Sequence, residues 1–170
     1  HLPMPAPMAV GAVHHHLTKV GLRCDSNIIA DTGFARDPHQ FAVLLGFGAT
    51  AVYPYLSFRL INDMIDKGEV LGDPIACHGK YRKGINKGLM KILSKMGIST
   101  MASYRGAQLF EAIGLDTAVV DLCFQGVASR IKGAKFEDFQ RDQTTIASNA
   151  WKLRKPIQQG GYLKYVHDAE

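Results

Sequence analysis

The sequence predicts an α/β protein, a partial (β/α) barrel-like parallel sheet with crossover helices. Three observations carry that prediction. Four times a helical apolar pattern runs into a Gly and is followed, a few residues on, by an apolar β-rich run. The glycines are 17 of 170 residues, above the average usage of about 7%, and they fall where the helices should stop. Apolar residues make up 46% and charged residues 21%, the balance of a folded chain long enough to enclose a core as one domain or as part of a larger one. Helix-cap-strand units in series imply parallel strands joined by helices packed on the sheet.

The units can be justified in order. Pro3, Pro5 and Pro7 keep the entry extended, because Pro fixes its backbone angle and lacks an N–H. A helix over residues 10–20 stops at Gly21, and Asn27-Ile28-Ile29-Ala30 follows as a strand. Asp37-Pro38 reads as an N-cap with Pro at the first helical position; the helix over 39–47 stops at Gly48, before the strand Ala49-Thr50-Ala51-Val52-Tyr53. The strongest element spans 81–96, where Ile85, Leu89, Ile92, Leu93 and Met96 form one stripe at helical spacing. It stops at Gly97, and Ser99-Thr100-Met101-Ala102 is the expected third strand. A fourth unit would place a helix over 108–113, its stop at Gly114 and a strand at Ala118-Val119-Val120. A last helix over 136–153 carries Phe136, Phe139, Ile146, Ala150 and Trp151 and ends before Pro156; the stretch 156–170 reads as a linker.

Several functional classes are excluded or weakened. No apolar run reaches the roughly 18 residues of a membrane span, and the start shows no basic segment leading into an apolar one, so no secretory signal is read. The chain does not begin with Met, which suggests a piece of a longer polypeptide. Cys24, Cys77 and Cys123 are odd in number and lack a Cys-x-x-Cys pair, which fits reduced thiols in the cytoplasm and packing roles rather than a metal ribbon or redox dithiol. His14, His15 and His16 are consecutive, so on a helix they diverge by about 100° per residue and cannot share one metal. Packing at an interface or bonding to backbone carbonyls is the expected role.

Ligands of α/β sheets bind beyond the strand carboxyl ends, so the loops after the strands hold the candidate residues: Asp31 and Thr32, then Ser103, Tyr104 and Arg105, the last three read as opening into a helix. Such a helix start could receive an anion or a carboxylate from a neighbouring domain. Between residues 74 and 110 there are seven basic residues, Lys80, Arg82, Lys83, Lys87, Lys91, Lys95 and Arg105, and no Asp or Glu. That face suits a solvated helix, a surface docked on an acidic domain, or a stand-alone anion- or nucleic-acid-binding module. A small self-contained enzyme with its site at Ser103 to Gly106 is a further alternative. The glycines at 46, 48, 84 and 88 lie in the wrong context for a phosphate loop, and no nucleophile, base and orienting acid come together as a motif.

Longer strings add a resemblance. Ala9-Val-Gly-Ala-Val-His-His-His-Leu17, Ala35-Arg-Asp-Pro-His39, Phe41-Ala-Val-Leu-Leu-Gly-Phe-Gly-Ala-Thr-Ala-Val-Tyr-Pro-Tyr-Leu56, Tyr81-Arg-Lys-Gly-Ile-Asn-Lys-Gly-Leu89, Ser94-Lys-Met-Gly-Ile-Ser-Thr100, Leu109-Phe-Glu-Ala-Ile-Gly-Leu115 and Cys123-Phe-Gln-Gly126 resemble the glutamate synthase large subunit, closest in character to the bacterial NADPH-dependent type. The resemblance implies the C-terminal part of the family's central domain over residues 1–155, a rudimentary relative of the flavin-binding TIM barrel, with 156–170 leading toward the FMN-binding synthase domain. It implies a parent enzyme that converts L-glutamine and 2-oxoglutarate to L-glutamate, with FMN and a 3Fe-4S cluster elsewhere in the chain, and FAD and NADPH on a small flavoprotein subunit. The expected partners are the amidotransferase and FMN-binding domains of the same chain, with no nucleic acid and no membrane. This segment would be structural, binding no cofactor or metal and holding no catalytic residue. It would frame an ammonia tunnel, with Asp31, Thr32, Ser103, Tyr104 and Arg105 as tunnel or interface candidates.

Overall fold

A computed structural model describes residues 3–152, and its contacts divide the chain into a unit over residues 4–135 and another that includes residues 136–152. In the larger unit the elements run α1 (Ala6–Lys19), β1 (Ile29–Asp31), α2 (Pro38–Gly46), β2 (Ala51–Tyr53), α3 (Tyr55–Asp66), α4 (Pro74–Lys95), α5 (Met101–Tyr104), β3 (Glu111–Leu115), α6 (Thr117–Cys123) and β4 (Ala128–Ala134). The other unit contributes α7 (Phe136–Trp151). It matches the helix expected over 136–153 as far as the description reaches. Pro156 and the linker beyond lie outside the described residues.

The α/β class holds, and so does the parallel pairing. β1 lies parallel to β2, with Ile29 opposite Ala51 and Asp31 opposite Tyr53. β3 lies parallel to β4. Each pair is joined through one helix, α2 or α6, so the chain folds as two βαβ units with two strands apiece. Asp37 starts α2 as expected: its Oδ1 accepts from the backbone N–H of His39 at 2.9 Å and of Gln40 at 3.0 Å, satisfying amides that the helix start leaves unpaired. The stops at Gly21, Gly48 and Gly97 all carry positive φ, the backbone state that a helix end favours.

Other expectations fail. The first helix begins at Ala6, not Val10, with Pro7 inside its first turn, where a missing N–H is harmless. The fourth helix begins at Pro74, behind an Asp73 cap, not at residue 81. Ser99-Thr100-Met101-Ala102 is no strand: Met101–Tyr104 is a helical turn. The expected helix over 108–113 is instead β3, and the expected strand at Ala118-Val119-Val120 lies in α6. The repeat is therefore regular in its first two units only. α3 and β4 were not anticipated.

The core of the first half joins α1, β1, α2 and α4 through Val10, Ala30, Phe41, Leu44 and Ile85, all buried. α1 also packs on α6, and this approach depends on Gly11. A Cβ there would lie 3.1 Å from the Cys123 carbonyl carbon, with the oxygen nearer still. Phe47 bridges the halves, with ring centroids 5.0 Å from Phe110 and 4.8 Å from Phe124. A backbone bond from Gly106 N–H to the Gly46 carbonyl, 2.9 Å long, runs beside it.

Candidate functional site

The carboxyl ends of β1 and β2 meet the start of α3 and the middle of α4. Thr32 N–H donates to the Tyr53 carbonyl at 3.0 Å and continues the strand pairing by one residue. Its hydroxyl accepts from Phe34 N–H at 3.0 Å and turns the loop. Ser57, buried on α3, donates to the Ala35 carbonyl at 3.3 Å. The Tyr81 hydroxyl, reaching over from α4, lies 3.0 Å from the Arg36 carbonyl and 3.2 Å from Ser57 Oγ. Three elements thus fix the loop after β1 by polar contacts to its backbone.

Beside this knot opens a groove of about 360 Å³. Phe41, Leu45, Val52, Phe58, Ile85 and Leu89 give it an apolar lining, which Tyr53, Tyr81, Arg82 and Asn86 complete. Phe58 organises the aromatic side, with ring centroids 5.6 Å from Tyr53, 5.9 Å from Tyr81 and 4.6 Å from His78. His78 Nε2 in turn lies 2.8 Å from Asn62 Oδ1. Tyr53 is 51% exposed.

A second polar assembly holds the other end of the sheet. Arg23 donates through Nε to His14 Nδ1 at 3.0 Å, and through its terminal nitrogens to the Ser26 carbonyl at 2.6 Å and the Gly48 carbonyl at 2.8 Å. Because Arg has only donors, His14 Nδ1 must be unprotonated. Burial, then His15, then Arg23 hold the His14 imidazole below its ordinary value, and burial does the same to His15. Gly48, at φ +117°, lets the His14 ring lie against the backbone, where a Cβ would clash. His14 and His15 also border a hollow of about 70 Å³ with Gln108, Phe110 and Gln125. Gln108 holds a positive φ of 53°, alone among the described non-glycine residues.

The expected candidate residues do not converge as one loop cluster. Asp31 ends β1 and Thr32 follows it, at the carboxyl edge as expected. Ser103 and Tyr104 lie inside α5, and Arg105 caps its end; β3 comes next, so no helix opens here to receive an anion. Ser103 is exposed and its Oγ lies 3.2 Å from Thr100 Oγ1. Tyr104 is a core ring at 2% exposure, edge-on to Phe110 at 6.4 Å, and burial pushes its phenol up. The histidine run acts partly as expected: His14 packs at a junction, but its ring accepts from Arg23 rather than binding a carbonyl. Cys77 and Cys123 are buried as expected, whereas Cys24 is exposed. Among the described residues no three His, Cys, Asp or Glu side chains are placed to hold a metal ion, and no helix is long and apolar enough to cross a membrane.

Sequence comparison assigns the family. The glutamate synthase central domain model matches residues 1–116. The chain belongs to the glutamate synthase central domain family. It is 42% identical over 162 residues to the glutamate synthase [NADPH] large chain of Bacillus subtilis, covering 95% of this chain and 10% of that protein. It is 39% identical over 165 residues to glutamate synthase [NADH] of Saccharomyces cerevisiae, covering 88% of this chain and 7% of that one. To ferredoxin-dependent glutamate synthase 1 of Arabidopsis thaliana it is 41% identical over 174 residues, covering 95% and 11%. The chain thus spans about a tenth of the length of these relatives. A stand-alone anion- or nucleic-acid-binding module finds no support in these matches.

Proposed function

We propose that this chain is a structural segment of a glutamate synthase large subunit, connecting its amidotransferase and FMN-binding domains and framing the path of ammonia between them. The observation that carries the reading is the family match over residues 1–116, joined to full-length relatives that are about ten times longer. The parent enzyme would convert L-glutamine and 2-oxoglutarate to L-glutamate in the cytoplasm. Resemblance to the bacterial type favours NADPH as donor, supplied with FAD by a small flavoprotein subunit. FMN and the 3Fe-4S cluster would reside elsewhere in the large chain. Cys24, Cys77 and Cys123 do not form a ligand set with one another or with nearby acids or histidines among the described residues, so no cluster is assigned here.

The same reading gives the domain limits as residues 1–155 for the central domain and 156–170 for the connection toward the FMN-binding domain. It also treats the two βαβ units as part of a larger barrel-like sheet. Parallel sheets are found almost only with both faces covered, whereas Ile29 on β1 is 68% exposed and β4 is exposed along nearly all its length. Asp31, Thr32, Ser103 and Arg105 would face the ammonia path or a neighbouring domain. Tyr104, from the core, would position the turn that carries Ser103 and Arg105.

The test uses the full-length polypeptide. Glutamine-dependent and ammonia-dependent glutamate formation are measured alongside glutaminase turnover, for wild type and for Asp31→Ala, Thr32→Val and Ser103→Ala. The expected result is glutamine hydrolysis that outruns glutamate formation in the variants, with ammonia-dependent synthesis retained. Stoichiometric coupling that survives all three substitutions would contradict the tunnel role.

A further inference from the structure

We infer that the groove between α2, β2, α3 and α4 is a docking seat for an apolar segment bearing carboxylates, contributed by the same polypeptide outside these 170 residues. The inference rests on the reading of the chain as part of a longer enzyme and names the surface through which that enzyme grips it. The groove is lined mainly by apolar side chains. A groove of this size and lining takes the apolar side chains of a short segment.

The occupant follows from length and charge. Relatives extend about tenfold beyond this chain, so a tethered segment is at hand at high effective concentration, and a modest groove suffices to hold it. Arg82 and Asn86 line the groove, and Lys83 follows Arg82 at the next step around α4. No Asp or Glu occurs between residues 74 and 110 to neutralise these cations from within the run. Charge complementarity therefore selects a segment that pairs apolar side chains with carboxylates.

The experiment is hydroxyl-radical footprinting of the full-length polypeptide, combined with carbodiimide cross-linking of lysine to carboxylate. Tyr53 and Leu89 should be protected in wild type, and Lys83 should cross-link to an Asp or Glu of the same polypeptide outside residues 1–170. The double variant Arg82→Glu, Asn86→Glu changes only exposed positions. Placing like charges together should raise the undocked population, and with it the labelling of Tyr53 and Leu89, by about tenfold. Lys91→Glu, on the far side of α4 from Arg82, should leave that labelling unchanged. Tyr53 labelled as fast in wild type as in the double variant would overturn the inference, and so would cross-links running to a second copy or a separate subunit. Glutamate formation by the wild-type polypeptide tests the parent reading separately, because it does not depend on which surface grips the segment.

Discussion

Gly11→Ala sets the helix propensity of α1 against its closest packing contact. The substitution replaces a poor helix former with the best one, a gain of about 1 kcal/mol. The added Cβ, however, would stand 3.1 Å from the Cys123 carbonyl carbon, and the oxygen, one C=O bond of about 1.2 Å away, points toward it. Carbon–oxygen contacts need about 3.3 Å, so α1 must withdraw from α6 by more than an ångström. No rotamer relieves a clash with backbone, and withdrawal loosens Val119, Val120 and Phe124, all buried. Overpacking of this kind costs up to about 3 kcal/mol, which leaves a net loss of about 2 kcal/mol. Amide exchange of α1 and α6 peptides, followed by mass spectrometry in the full-length polypeptide, should then speed up about 30-fold for sub-global opening. Gly84→Ala is the matched control: it is helical, and an added Cβ there meets nothing within 4 Å, so α4 should gain up to about 1 kcal/mol. Unchanged or slower exchange of α1 in Gly11→Ala would refute the close approach of α1 and α6.

Three further outcomes are expected. Arg23→Lys should cost about 2 kcal/mol, because one ammonium cannot reach three divergent acceptors, read as faster proteolysis of the loop between α1 and β1. Tyr81→Phe should cost about 1 kcal/mol and speed amide exchange in the loop after β1, with no effect on α6. Folded His14 and His15 titrate below their ordinary value of 6.5, so the unfolded chain takes up protons first on acidification. The stability they allow is complete above that value and declines as pH falls from it toward the lowered folded values. His14→Asn keeps an acceptor for Arg23 without a titrating ring and should flatten part of that decline in a pH series of unfolding midpoints.

Local signals were readable where they agreed with the tertiary fold. Asp37-Pro38, the apolar face of α2 and Gly48 all point to one helix, and the helix is there. The same Asp-Pro pair at Asp73-Pro74 marks the true start of α4, seven residues before the start at 81 that the apolar stripe suggests. α3 was legible in the spacing of Phe58, Ile61 and Ile65, but Pro54 beside two tyrosines reads as a loop. β4 carries the sequence Ala-Ser-Arg-Ile-Lys-Gly-Ala, with no alternation to announce a strand.

Gly114 explains the inversion of the fourth unit. It has φ +75° and lies inside β3, where the register with β4 shifts on either side of Ile113. An irregular strand and a helix end can both take up a left-handed glycine, so a glycine in a short apolar run cannot tell one from the other. Once Gly114 is read as a helix stop, Val119 and Val120 become the strand by default. Against that assignment stands Asp116, whose side chain caps α6 by accepting from Ala118 N–H at 3.0 Å. A capping residue constrains one end of one element, whereas a positive-φ glycine is compatible with two, so the cap is the more specific signal.

The site residues were harder to find for a related reason. Arg23 bonds to His14 and to Gly48, 9 and 25 positions away, and the groove draws its lining from four elements. Neither pattern has a period or a fixed spacing. What the sequence does carry is the consequence: an arginine in a turn beside a histidine run, and an acid-free stretch along one helix. Such features say that a surface is engaged without naming the contact, and only the folded arrangement of α2, β2, α3 and α4 turns the acid-free stretch into a seat with a direction.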